Sequence, residues 1–207
     1  MKINRLLHAV TVVLFVFCLA SCADDKPTLS ALENDAVILA FGDSLTFGLG
    51  ANSKMESYPA VLSQLTGLQV VNEGFSGEVS EDGLERLADV LPVLKPNLVI
   101  LCHGGNDIIR KLGKEQLKSN LKQMIVLIES TGAEVVLVGV PNFNLMLNVP
   151  ELYPDLAVEH QLPIELETLS EIERNPKMKS DQIHPNAQGY RLMAERIYTL
   201  LQDSGAI

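Results

Sequence analysis

The stretch VILAFGDSLT, Val37 to Thr46, decides the fold. VILAF is a short apolar run with no polar residue alternating inside it, and Gly42 ends it. An unbroken run of this kind suits a strand buried on both faces, as in a parallel sheet covered by helices. Working outward, similar runs recur at QVVN (Gln69 to Asn72), NLVILC (Asn97 to Cys102), EVVLVGV (Glu134 to Val140) and LPIEL (Leu162 to Leu166). Helical signals fall between them. SYPAVLSQL (Ser57 to Leu65) has Ser57 as cap and Gly67 as stop. Ser80 is predicted to cap a helix with Leu84, Leu87, Ala88 and Leu91 on one face, stopped by Pro92 and Pro96. Leu117, Leu121, Met124, Ile125 and Ile128 form a helical stripe that ends at Gly132. Tyr190, Met193, Ala194, Ile197 and Leu201 share one face of a last helix. The stretch from Asn142 to Gln161, with Pro150 and Pro154, has no clear period and is predicted irregular. Strands alternating with helices predict an α/β domain of right-handed βαβ units, with helices on both sides of a parallel sheet.

Composition agrees. The chain has 207 residues, 47% hydrophobic and 20% charged, with a formal charge of −10. That balance excludes intrinsic disorder and allows one domain with a large core and no need of disulfides. So acidic a chain is a poor partner for nucleic acid, because phosphate contacts need clustered Lys and Arg. The three cysteines, Cys18, Cys22 and Cys102, are too few for a disulfide framework.

The N-terminus is a different kind of sequence. Lys2 and Arg5 precede an apolar run from Ala9 to Ala20, too short to span a bilayer. This is the pattern of a signal peptide, residues 1–21. Leu19-Ala20-Ser21-Cys22 resembles a bacterial lipobox, which implies lipidation of Cys22 and anchoring of the chain to a membrane. Ala23 after Cys22, by resemblance to Gram-negative lipoproteins, implies the outer membrane and the periplasmic space. Residues 22–35 are expected to be the lipidated cysteine and a polar tether, leaving 36–207 as the domain. Without residues 1–21 the remainder carries 14 basic and 26 acidic residues, a charge of −12. Cys102 then stands alone and is expected to be a buried small hydrophobe.

In a parallel α/β sheet the ligand crevice lies beyond the carboxyl ends of the strands. The residues there are Gly42-Asp43-Ser44-Leu45-Thr46, Gly74-Phe75-Ser76-Gly77 and Gly104-Gly105-Asn106-Asp107. Asp181-Gln182-Ile183-His184-Pro185-Asn186 precedes the last helix. Each is weak alone, since glycine turns after strands are mostly backbone geometry. Together they supply a hydroxyl, an imidazole, a carboxylate and amide donors. In this order and spacing, across Ala36 to Leu201, they resemble the SGNH or GDSL hydrolases, in the arylesterase, thioesterase and lysophospholipase-like branch. The resemblance implies a three-layer α/β/α fold with a flavodoxin-like parallel sheet of about five strands. It also implies an oxyanion hole made of the Ser44 N–H, the Gly77 N–H and the Asn106 side-chain amide.

A serine hydroxyl needs a base to take its proton. His103, His160 and His184 are the candidates. His160 is expected at the surface, and His103, at the end of a strand, is expected to be a satisfied buried histidine. His184 has Asp181 three residues earlier, a spacing that would place carboxylate and imidazole on one side of a helical turn. Ser44, His184 and Asp181 are therefore the candidate nucleophile, base and orienting acid. Asp43 and Asp107 are expected to bind loop amides. No Gly-x-Ser-x-Gly elbow surrounds Ser44, against an ordinary α/β-hydrolase fold. No Cys/His spacing suits zinc and no Walker or Rossmann glycine pattern follows the first strand, so neither metal nor nucleotide cofactor is expected.

The expected function is hydrolysis of carboxylic esters, small or lipid-like: aryl, short-to-medium acyl, lysophospholipid or thioester. Leu145-Met146-Leu147 and Val149 are candidates for the wall of an acyl pocket. The segment between Pro141 and Tyr153-Pro154 is a few residues shorter than in the thioesterase branch. One alternative is a carbohydrate O-deacetylase with the same machinery. The other is an inactive binding lipoprotein, which intact Ser44, Asn106, Asp181 and His184 oppose.

Overall fold

In the computed structural model, which describes residues 26–207, five parallel strands form one sheet in the order β2-β1-β3-β4-β5. The predicted signal peptide with Cys18, and the predicted lipidation site Cys22, lie outside the described residues. The strands are β1 (Val37–Gly42), β2 (Gln69–Gly74), β3 (Leu98–Cys102), β4 (Glu134–Val138) and β5 (Ile164–Glu165). β1 and β3 are the inner pair at the reversal of strand order, and β3 is fully buried, as its unbroken apolar sequence requires.

The helices, in chain order, are α1 (Ser44–Phe47), α2 (Tyr58–Thr66), α3 (Ser80–Leu94), α4 (Gly105–Arg110), α5 (Lys114–Ser130), α6 (Leu152–His160), α7 (Thr168–Arg174) and α8 (Ala187–Asp203). α2 packs with α8 on one side of the sheet, while α3, α5 and α6 pack together on the other. The predicted stripes of α5 and α8 are buried residue for residue. Ser57 caps α2 and Gly67 ends it in the left-handed conformation, as its sequence predicts. Among the described residues no helix is long and apolar enough to cross a membrane.

Six expectations need correction. Ser80 is the first residue of α3 and not its cap, because its hydroxyl and N–H both bond Asp107. The buried face of α3 is Ser80, Gly83, Leu87 and Leu91, with Ala88 exposed. Pro92 lies inside the last turn of α3, where its missing N–H removes one bond at an exposed position; Lys95 in a left-handed conformation ends the helix instead. The stretch predicted irregular contains α6: Pro154 falls in its first turn, where an N–H has no intrahelical partner to lose. β5 is shorter than predicted, because Pro163 cannot donate to the ladder and the strand is an edge. Finally, the predicted tether ends early. The Leu29 and Leu32 N–H groups donate to Ser204 and Ala206 carbonyls, and Ser30 bonds Glu134, so this backbone lies along the domain.

Candidate active site

The register of the sheet brings Gly42, Gly74 and Cys102 level with one another at its carboxyl edge. The residues that follow them, Asp43-Ser44, Phe75 to Gly77 and His103 to Asn106, therefore converge. Ser44, Gly77, Asn106 and His184 line one cavity of about 190 Å³, together with Asp43, Leu45, Leu49, Gly105, Ile109, Phe143 and Ile183. Four of the five predicted site residues thus share a wall. The fifth, Asp181, stands behind His184.

Ser44 opens α1. The carboxylate of Asp43 caps that turn by accepting from the Leu45 N–H at 3.0 Å, which fixes the backbone under the serine. Burial pushes the Asp43 carboxyl up, against the pull of His103, of the Leu45 and Gly105 N–H groups and of His184. Ser44 Oγ lies 3.1 Å from His184 Nε2. His184 Nδ1 lies 2.7 Å from Asp181 Oδ2. The other oxygen, Oδ1, accepts from the Ile183 and His184 N–H groups, both at 2.8 Å. Partial burial pushes the Asp181 carboxyl up, but the Ile183 N–H, the His184 ring and the His184 N–H outweigh it and hold it below the usual aspartate range. An ionised Asp181 accepts from Nδ1–H and leaves Nε2 free to take a proton from Ser44.

The local geometry is not the predicted helical turn. Asp181 to His184 form a bend held by the Asp181 carboxylate, and Asn186 caps α8. The loop is pinned from behind: Lys179 Nζ reaches Glu173 of α7 at 3.0 Å and the Gln182 carbonyl at 2.9 Å, and the Ser180 N–H donates to the His184 carbonyl at 2.9 Å.

The candidate oxyanion donors sit opposite. Gly77 has φ +84°, a conformation that favours glycine, and neither its N–H nor that of Ser44 finds an acceptor among the described residues. Asn106 Nδ2 donates to the Glu78 carbonyl at 2.9 Å and has one further contact, at 3.5 Å, with Asp43 Oδ2. Asp107 binds Ser80 through both oxygens, as expected of a loop-closing carboxylate.

His103 falls where the sequence puts it, whereas His160, expected at the surface, is largely covered. His103 is fully buried, its Nε2 3.1 Å from Glu78 Oε2 and its Nδ1 accepting from the Gly104 N–H. His160 pairs with Glu129 at 3.3 Å, well away from the cavity residues. Cys102 is buried among strands, and burial pushes its thiol well above the ordinary range. Among the described residues no group of three or more His, Cys, Asp or Glu could hold a metal ion.

The acyl-wall expectation is overturned. Leu145 and Met146 are exposed at the tip of their loop, and Leu147 turns back to accept a bond from Ser170. Phe143 is the member of that segment that reaches the cavity. Phe143, Ile109 and Ile183 also line an adjoining groove of about 600 Å³, with Ile108 and Leu117 on its walls. These residues come from four separate segments, and no local period in the sequence links them.

A family profile described as the GDSL-like lipase/acylhydrolase family matches residues 40–192. The arylesterase of Vibrio mimicus is 29% identical over 201 residues, covering 92% of this chain and 95% of that protein. Thioesterase 1/protease 1/lysophospholipase L1 of Escherichia coli K12 is 30% identical over 173 residues, covering 80% of this chain and 83% of the relative. A crystal structure of TesA superposes with a TM-score of 0.73 at 26% identity, over 81% of this chain and 99% of that one.

Proposed function

This chain belongs to the GDSL-like lipase/acylhydrolase family and is a carboxylic-ester hydrolase, and on that premise we propose that it works by acyl transfer to Ser44. The observation that carries this is the run Asp181 Oδ2, His184 and Ser44 Oγ, with contacts of 2.7 and 3.1 Å, facing Gly77 and Asn106 across one cavity.

Ser44 Oγ attacks the ester carbonyl as its proton passes to His184 Nε2. Asp181 keeps the proton on Nδ1 and stabilises the imidazolium that forms. The carbonyl oxygen becomes an oxyanion and takes hydrogen bonds from the Ser44 N–H, the Gly77 N–H and the second N–H of Asn106. His184 then protonates the leaving alkoxide. A water loses its proton to His184, attacks the acyl-serine and releases the acid, and the proton returns to Ser44. No metal or cofactor enters these steps.

The cavity and groove support a reading of the substrate class. Ile109, Phe143 and Ile183 are common to both, so an acyl or aryl group held at Ser44 can extend along an apolar wall. We assign aryl and short-to-medium acyl esters, with lysophospholipids and thioesters in the same set. The small volume beside Ser44, about 190 Å³, favours a second reading, removal of acetyl groups from a glycan. A chain-length series of p-nitrophenyl esters separates the two. Rates that hold or rise from acetate to octanoate support the apolar wall; activity on acetate alone supports the glycan reading. No turnover of any activated ester, with Ser44→Ala indistinguishable from wild type, removes the enzyme and leaves a binding lipoprotein.

The same proposal places the protein in the bacterial envelope, held by a lipid on Cys22, at the outer membrane and facing the periplasm. Cys22→Ser should move it from the membrane to the soluble fraction; an unchanged distribution would contradict the anchor.

A further inference from the structure

One carboxylate that touches no reacting atom, that of Glu78, is held by partners at the ends of β1, β2 and β3. Arg86 Nε and Nη2 grip Glu78 Oε1 and Oε2, each at 2.7 Å. The same guanidinium donates to the Glu73 carbonyl at 3.1 Å, to the Gly42 carbonyl at 3.4 Å and to Glu73 Oε2 at 3.3 Å. Its flat face lies 4.2 Å from the centre of the Phe41 ring. Gly42 ends β1 and Glu73 lies at the end of β2. From the end of β3, His103 brings its Nε2 to Glu78 Oε2; because Nδ1 accepts from Gly104, Nε2 is the nitrogen that donates. Space for that ring is reserved in the sequence: a Cβ at Gly83 of α3 would collide with His103 Nε2.

Glu78 is also the residue between the two remote oxyanion donors. It follows Gly77 directly, and its carbonyl accepts one N–H of Asn106 at 2.9 Å. The loop it closes, Phe75 to Gly77, is exposed and has little packing of its own. A buried ion pair of this kind is a weak source of stability, since desolvation offsets its attraction. What it does supply is fixed direction, and oxyanion donors work only when aimed in advance.

We propose that Glu78, clamped by Arg86 and His103, is the positioning residue of the oxyanion hole, setting the Gly77 backbone and the Asn106 amide together. This rests on the acyl-transfer reading above. Glu78→Gln keeps shape but removes the charge that holds both partners. It should lower kcat by about 10–10²-fold, the scale of a small misplacement of aligned groups, with KM unchanged. Phosphonylation of Ser44 by a p-nitrophenyl phosphonate should slow in parallel. Arg86→Lys, which keeps charge but loses the two-point grip, should act in the same direction, and Glu78→Asp should recover part of kcat. A folded Glu78→Gln or Arg86→Lys protein with wild-type kcat and phosphonylation rate overturns the proposal. So does a loss that tracks only the unfolded fraction and disappears on cooling. The acyl-transfer reading fails separately, and takes this proposal with it, if the wild-type protein forms no Ser44 adduct.

Discussion

The two halves of the candidate site are held in different ways. Ser44, Gly77 and Asn106 grow out of strand ends and are backed by buried Asp43, Glu78 and His103. His184 and Asp181 sit on a bend after the last strand, backed by local bonds and by the Lys179–Glu173 pair. The Asp181 side chain is 52% exposed. The first half is preorganised by the sheet and shares its stability. The second rests on a bend held by the Asp181 carboxylate and by the largely buried Lys179–Glu173 pair, not on strand ends. The oxyanion donors are therefore aimed from strand ends, whereas the base is held by bonds within its own loop and to α7.

Substitutions test that contrast. The largest effect is expected where the halves meet. Ser44→Ala or His184→Ala should lower kcat by about 10⁴-fold or more in steady-state ester hydrolysis, because the two side chains act as one unit. If His103→Ala abolished activity while His184→Ala did not, the base would be misassigned. Asp181→Asn in the loop half should cost up to about 10⁴-fold, because its amide would donate to Nδ1 and move the ring proton to Nε2. Asparagine can still accept from the Ile183 and His184 N–H groups, so the domain should stay folded. Within the sheet-backed half, Asn106→Ala should cost about 10²–10³-fold in kcat, the usual loss for one oxyanion donor.

Asp181 also gives a pH signature. Its folded pKa lies below the ordinary 3.8, so its ionised form adds stability above that value. The contribution is lost as pH falls through the lowered folded value. Thermal unfolding of wild type and Asp181→Asn should therefore differ at neutral pH and converge in strong acid. A difference that grows with acidification would reverse the sign. The smallest effect is expected at the loop tip: Leu145→Ser and Met146→Ser should leave kcat and KM unchanged and shift stability by no more than about 0.5 kcal/mol. Phe143→Ala, by contrast, should raise KM for the longer esters.

The same contrast explains what could be read from residue order. The runs VILAF, NLVILC and EVVLV have no polar interruption because both faces are covered, and that pattern survives in sequence. The sheet then forces Gly42, Gly74 and Cys102 level, so the loops that follow them were predictable neighbours. His184 is legible through its spacing from Asp181 and the family resemblance, not through a helical turn, which does not form there. Glu78 and Arg86 carry no such signal. Their pairing spans two turns of a helix and three strand ends, and no local period records it. Leu145 and Met146 misled for the opposite reason: apolar character in a loop says nothing about which way the chain turns, and here Asn144 folds the tip outward by accepting from the Met146 and Leu147 N–H groups.

The most direct test of the Ser44–His184 unit is the mass of the Ser44 peptide after treatment with a serine-directed phosphonate. A single adduct should form on Ser44 in the wild-type protein, and its formation should slow by about 10³-fold or more in His184→Ala. An unmodified Ser44, an adduct on another residue, or labelling that ignores His184→Ala would contradict the mechanism.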